Sequence, residues 1–291
     1  MKLLNGITYA HEHITIDLSG PKKDQDCKLD TMDETIKEFM ELKSKGVSNI
    51  IDLTNRGMGR NIEYLTKVKE ETGINIISST GYYKSPFLPE EVYKLSIKEL
   101  ANIMLMEITE GIDNSGIKAE AIGEIGTSKD NILPEEEKVF RASSMAHIET
   151  GKPIITHTTL GTLGMKQINI FKEYGVNLDK VVISHVDLSG NLDYILRLID
   201  TGVNVAFDTI GKIKYQPEEL RVNLLKELTQ RGLSKKIVLS MDITRKSHLK
   251  YLKGVGYAYL LDDFVPLLRK GGISDSDINN MIKFNAPRIY Q

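Results

Sequence analysis

Eight short runs of apolar and β-branched residues recur along this chain, and amphipathic stretches with helical spacing separate them. The runs are "GITYAHEH", "VSNIIDLT", "INIISSTGYY", "AEAIGEIG", "KPIITHT", "KVVISHVD", "VNVAFDTIG" and "KIVLSMDIT". Strands that alternate with helices pair in parallel through right-handed crossovers, because a parallel neighbour cannot be reached by a tight hairpin. Eight such units define an α/β fold, the (β/α)8 TIM barrel, and 291 residues lie within its range. An open doubly wound sheet is the alternative. No Gly/Ser linker, low-complexity tract or shift in composition divides the chain, so residues 1–291 are read as a single barrel domain.

Local punctuation agrees with this reading. Gly46, Gly73, Gly151, Gly175, Gly202 and Gly232 each stand where a left-handed cap would end a helix before the next strand. In "DETIKEFMELKSKG" the expected packing stripe is Ile36, Phe39, Met40 and Lys43, the last extending its ammonium outward; in "NIEYLTKVKEETG" it is Ile62, Leu65 and Val68. Pro134 suits a first helical position, and the acids after it favour the positive end of a helix.

The residues with chemistry share an address. His11 and His13 end the first strand, Glu124 lies near the end of the fourth, and His157 and His185 end the fifth and sixth. Asp242 ends the eighth. In a barrel these C-terminal strand ends converge on one point, whereas an open sheet spreads them along an edge. Four imidazoles and two carboxylates in one place point to divalent transition metals, zinc first, with manganese, iron or cobalt as alternatives. Six donors exceed one tetrahedral ion. The expected division is His11, His13 and Asp242 on one ion, His157 and His185 on the other, and Glu124 bridging both. His147, within a helical stretch, is read as a hydrogen-bonded core residue, and His248 as a loop or substrate-facing residue.

Composition narrows the partners. A formal net charge of −2 with interspersed signs argues against nucleic acid. No apolar run is long enough to span a bilayer, and "MKLLNG" lacks the apolar stretch of a signal peptide. The single Cys27 excludes an internal disulfide and agrees with a reducing cytoplasm, where the chain is placed.

The segments "HEH", "IDLSG", "TNRGMGRN", "TGYY", "GEIGTS", "THT", "SHVDL", "FDTIGK", "LSMDITR" and "FNAPRIY" together resemble the phosphotriesterase family of the amidohydrolase superfamily, most closely its homology-protein branch. The resemblance spans essentially the whole chain. It implies a distorted (β/α)8 barrel with a binuclear metal centre, and it brings an expectation of homodimers. One position departs from the phosphotriesterases proper: Glu124 stands where they carry a carboxylated lysine, and Lys118 is too early in its strand to replace it. Phosphotriester hydrolysis is therefore a poor transfer from the family name, while related branches include lactonases, some acting on phosphorylated sugar lactones.

The expected activity is hydrolysis of a small ester by a metal-activated hydroxide, with a sugar lactone, phosphorylated or not, as the favoured substrate. Asp242 would both ligate a metal and take the attacking water's proton. Lys212 and Arg245, after strands seven and eight, are the candidate grip for a substrate anion, with Tyr82 or Tyr83 as a wall. Arg56 and Arg60 could reach the mouth, and Asp187 is either a support for the ligands or a surface loop residue. The alternatives are a phosphoester or phosphotriester hydrolase and, from another class, a non-catalytic metal-containing protein that binds a metabolite.

Overall fold

The computed structural model describes residues 3–290. Eight strands form one parallel sheet whose spatial order follows the chain: β1 (Ile7–Glu12), β2 (Val47–Asp52), β3 (Asn75–Thr80), β4 (Ala121–Thr127), β5 (Ile154–Thr158), β6 (Val181–Ile183), β7 (Asn204–Phe207) and β8 (Ile237–Leu239). The principal helices between them are α1 (Met32–Ser44), α2 (Ile62–Thr72), α3 (Ile97–Thr109), α4 (Pro134–Thr150), α5 (Gly164–Glu173), α6 (Leu192–Asp200) and α7 (Glu218–Gln230). This is a (β/α)8 barrel.

The seam between β8 and β1 is fastened by side chains as much as by backbone. The His11 N–H donates to Ser240 Oγ at 3.0 Å, and the Asp242 N–H donates to the His11 carbonyl at 3.3 Å. The buried Glu12 carboxylate accepts from the Ser240 hydroxyl at 2.6 Å and from the backbone N–H groups of Met241 at 2.7 Å and Ile243 at 3.1 Å. A lone carboxylate here satisfies donors that a shortened β8 leaves without ladder partners.

The core has two layers. Tyr9, Ile50, Ile76, Ile122, Ile183 and Leu239 point outward and pack under the helices, in a cluster that includes Phe39, Phe140 and Phe171. Ala10, Ile51, Leu53, Ile77, Ile155, Val182 and Val238 form the second cluster and fill the barrel interior. Ala286 and Ile289, near the C-terminus, join that cluster, and Asn285 Nδ2 donates to the carbonyl of Ile237 at the start of β8. This plugs the N-terminal mouth and leaves the other end open for a site.

The helix-ending glycines all adopt positive φ, from 65° at Gly73 to 104° at Gly202, and Pro134 begins its helix. Ile62, Leu65 and Val68 are buried together on α2. The stripe expected on α1 needs correction, because Met40 is 51% exposed and the buried face is Thr35, Glu38, Phe39 and Leu42. Glu38 is inside because its carboxylate accepts from the N–H groups of Lys250 at 2.7 Å and Tyr257 at 2.8 Å. A two-strand antiparallel ribbon, Ile16–Asp17 with Lys28–Leu29, and a short helix, Ser19–Lys22, lie between β1 and α1 and were not expected from the sequence.

Candidate metal centre

Sharp turns at the strand ends aim the donors at the barrel axis. His185 and Asp242, just beyond β6 and β8, adopt left-handed backbone with φ of 59° and 51°. That region is sparsely used by residues other than glycine and clusters at functional sites. On β4 the residue before Glu124 is Gly123, where a Cβ would stand 2.5 Å from the Ile155 carbonyl oxygen. Only glycine lets β4 and β5 approach so closely beside Glu124.

Glu124 sits at the centre. Its Oε1 is 2.8 Å from His157 Nδ1, 3.0 Å from His185 Nε2 and 3.6 Å from His11 Nε2; its Oε2 is 3.6 Å from His13 Nε2. Asp242 Oδ1 lies 3.3 Å from His13 Nε2 and 3.8 Å from His11 Nε2. Its other oxygen is held by the Lys212 ammonium. All six expected metal donors thus face one another.

The donor set fits metal ions. Nε2 of His11 and of His13 are buried and have no hydrogen-bond partner, a costly arrangement unless another electron acceptor uses those lone pairs. Donors bound about 2.1 Å from a shared ion at near-tetrahedral angles stand roughly 3.4 Å apart, and the separations around Glu124 and Asp242 bracket that value. Two sets, His11–His13–Glu124 and Glu124–His157–His185, bring their donor atoms within 4.8 Å of one another.

The tautomers are set from behind. Asp208 Oδ1 accepts from His185 Nδ1 at 2.8 Å and from the His185 backbone N–H at 2.8 Å, while its Oδ2 lies 2.8 Å from His11 Nδ1. Since a carboxylate only accepts, the His185 Nδ1 proton lies toward Asp208 and its Nε2 lone pair faces Glu124. His11 Nδ1, between Asp208 Oδ2 and Ser184 Oγ at 3.1 Å, has acceptors on the same side, which leaves its Nε2 toward Glu124. This explains why a third close group, His11–His185–Asp208, serves as a support rather than as a separate metal site. His13 Nδ1 lies 2.9 Å from Thr54 Oγ1, which in turn donates to Asp52. Asp208 was missed in the sequence. It directly follows β7, which like β2 and β3 carries no candidate donor, and the need of two expected ligand imidazoles for an acceptor was the available signal.

Electrostatics follow the same design. Burial opposes a charge on His13, but Asp242 and Glu124 outweigh it and push its pKa up to about 10. Burial also opposes ionisation of Asp242, yet Lys212 and the histidines hold its carboxyl well below the usual range. Glu124 is held low by His157, His11 and His13 against its burial. For His157, burial dominates and lowers the pKa to about 4 despite Glu124. The carboxylates therefore create a field that favours positive charge at the centre of the cluster.

A cavity of about 250 Å³ opens over these groups. His13, Glu124, His157, His185 and Asp242 form its floor, with Lys212, Tyr83 and Tyr215 beside them. Tyr83 Oη is 3.2 Å from His157 Nδ1. Two of the expected substrate residues are elsewhere. Tyr82 is fully buried with its ring 6.0 Å from the Arg56 guanidinium carbon, and it does not line the cavity. Arg245 lines a neighbouring pocket, where its guanidinium pairs with Asp24 at 2.7 Å and Asp26 at 3.3 Å.

Other polar residues are also committed elsewhere. Arg56 and Arg60 do not reach the cavity: they bind Glu91, Glu107 and Asp113. Asp187 is fully buried rather than on a surface loop, and it pairs with Arg221 at 2.7 Å. His147 is in the core, with Nδ1 bonded to the Lys152 carbonyl at 2.7 Å and Nε2 accepting the Asn177 N–H at 3.2 Å. His248 belongs to the same pocket as Arg245.

Converging imidazoles and carboxylates on the C-terminal face of a β/α barrel define a metal-dependent hydrolase type of site. The chain matches the Phosphotriesterase family over residues 3–290 and belongs to it, which makes it a metal-dependent hydrolase acting on ester bonds. It is 49% identical over 286 residues to the phosphotriesterase homology protein of Escherichia coli K12, covering 98% of each chain. It is 33% identical over 309 residues to the phospho-furanose lactonase of Mycoplasmopsis synoviae, covering 98% of this chain and 87% of that one. The crystal structure of the E. coli homology protein, complexed with phosphate in its active site, superposes with a TM-score of 0.97 at 48% identity over 99% of both chains. Among the described residues no helix is long and apolar enough to cross a membrane.

Proposed function

We propose that this chain is a hydrolase of small lactones that carry an anionic group, with phosphorylated sugar lactones as the favoured class, and that residues 1–291 act as one catalytic domain. The observation that carries the reading is the buried cluster of His11, His13, His157 and His185 around Glu124 and Asp242, all but His11 lining a small cavity that lysines also reach. The name of the M. synoviae relative and the phosphate in the E. coli structure support the anionic class.

Two divalent ions fit the donors, with zinc first and manganese, iron or cobalt as alternatives: His11, His13 and Asp242 would hold one, His157 and His185 the other, and Glu124 both. When bound, such ions lower the pKa of water and polarise the substrate's oxygen. The protein's own contribution is orientation and proton transfer. Asp208 and Thr54 fix the ligand tautomers. Asp242 accepts the attacking water's proton and returns it to the leaving oxygen, while Lys212 keeps that carboxylate ionised until the transfer. Arg245 and Tyr82 affect the substrate indirectly, through the loops they anchor. A cytoplasmic location and a homodimer rest on the single cysteine and the family resemblance.

A lactone panel run with and without a phosphate, beside a neutral phosphotriester, tests this reading. Selective turnover of phosphorylated lactones supports it, and turnover of the triester alone refutes it. Metal binding with no turnover of any ester would favour the non-catalytic binding protein instead.

A further inference from the structure

Three lysines reach the cavity, from three different loops: Lys22 after β1, Lys84 after β3 and Lys212 after β7. They are not equivalent. Lys212 is neutralised by Asp242. Lys22 and Lys84 make no ion pair among the described residues, and both ammonium groups approach one ring, that of Phe87, at 5.9 and 5.8 Å from its centroid. Lys84 is also 5.7 Å from the Tyr83 centroid and donates to the Ser85 carbonyl at 3.2 Å.

The nearby acids are already engaged. Glu136 accepts from the N–H groups of Ser85, Ser128 and Leu133. Asp24 and Asp26 hold Arg245, and Glu124 and Asp242 hold the histidines and Lys212. An aromatic face attracts a cation but carries no net charge, so two like charges remain beside one another without a counter-ion. Burial lowers the Lys84 pKa, Glu136 and Glu124 oppose that, and Lys22 adds to the lowering. Such a pair is stabilised when an anion sits between its members.

We propose that Lys22 and Lys84, gathered over Phe87, form a clamp that receives the substrate's anionic group, phosphate or carboxylate, at the end opposite its scissile ester. The inference rests on the hydrolase reading, and it assigns the substrate's anion to Lys22 and Lys84 rather than to Lys212 and Arg245, which are held by acids. The cavity then has two halves: a floor of donors that performs hydrolysis and a cationic, aromatic lip that selects the substrate.

The test uses the metal-loaded protein with Lys22→Met, Lys84→Met and the double variant, and with Lys23→Met as a surface control. Calorimetric binding of glycerol 3-phosphate and of glycerate separates the two anion types, and KM for a neutral and an anionic lactone is measured alongside. Each clamp variant should weaken glycerol 3-phosphate binding about tenfold or more and raise KM for the anionic lactone, with kcat and the neutral KM little changed. A parallel loss for glycerate marks a general anion clamp, whereas its insensitivity marks one selective for phosphate. Binding within twofold of wild type in the double variant overturns the clamp even if hydrolysis is normal. Clamp-dependent binding in a protein that turns over no ester would instead retain the clamp and remove the hydrolase reading.

Discussion

Replacing Asp208 with asparagine separates the support of the metal centre from its donors. Asp208 spends one oxygen on the His185 ring and backbone N–H groups and turns the other toward His11 Nδ1 at 2.8 Å. Asparagine keeps the shape but has a single acceptor oxygen, and its NH2 cannot accept from an imidazole. If the amide oxygen turns to His11, the His185 ring loses its acceptor and is free to move its proton to Nε2, the atom that faces Glu124. If it stays with His185, His11 keeps only the neutral Ser184 hydroxyl, 3.1 Å from its Nδ1. Loss of such a support weakens metal affinity roughly 10- to 100-fold, equivalent to about 1.4 to 2.7 kcal/mol. The assay is competition for zinc against a chelator of known affinity, with circular dichroism to verify the fold. Metal affinity within twofold of wild type in a folded Asp208→Asn protein would refute the tautomer argument.

Further outcomes follow from other parts of the molecule. Glu124→Ala should cost at least one metal equivalent by elemental analysis, since Glu124 is the carboxylate common to both donor sets; full retention would remove it from the bridging position. Arg221 is fully buried against Asp187 and Glu218, so Arg221→Met should destabilise the fold by roughly 3 to 5 kcal/mol in urea denaturation, and a loss below about 1 kcal/mol would show that the acids find other partners. Burial lowers the pKa of His147, with the bond to the Lys152 carbonyl opposing, and its Nε2 accepts a backbone N–H. The folded state thus binds fewer protons here, so this contribution is complete above the unfolded value, about 6.5, and fades as pH falls below it. His147→Gln should flatten the stability profile between about pH 7 and 5; an unchanged slope would place the pH dependence elsewhere.

The barrel was legible in the sequence because its strands are nearly continuous apolar runs and its helices end on glycines with positive φ, both local features. The convergence of the six candidate side chains was legible because a barrel turns separate strand ends into one place. What escaped depends on contacts between distant segments. A basic residue at a strand end looks the same whether it is free or held, and Arg245 is held by Asp24 and Asp26, which arrive from the first loop. Glu38 lies on a helix surface pattern and is buried only because the loop around Tyr257 needs an acceptor. Asp208 resembles any turn residue until the protons on His11 and His185 are counted.

The most direct test of the account is to strip the protein with a chelator and titrate zinc or manganese back while following hydrolysis of a phosphorylated sugar lactone. The account predicts no turnover in the stripped protein and a rise that levels off at two equivalents per chain, the number its two donor sets imply. Turnover that persists without metal, or that ignores metal known to be bound, would contradict it.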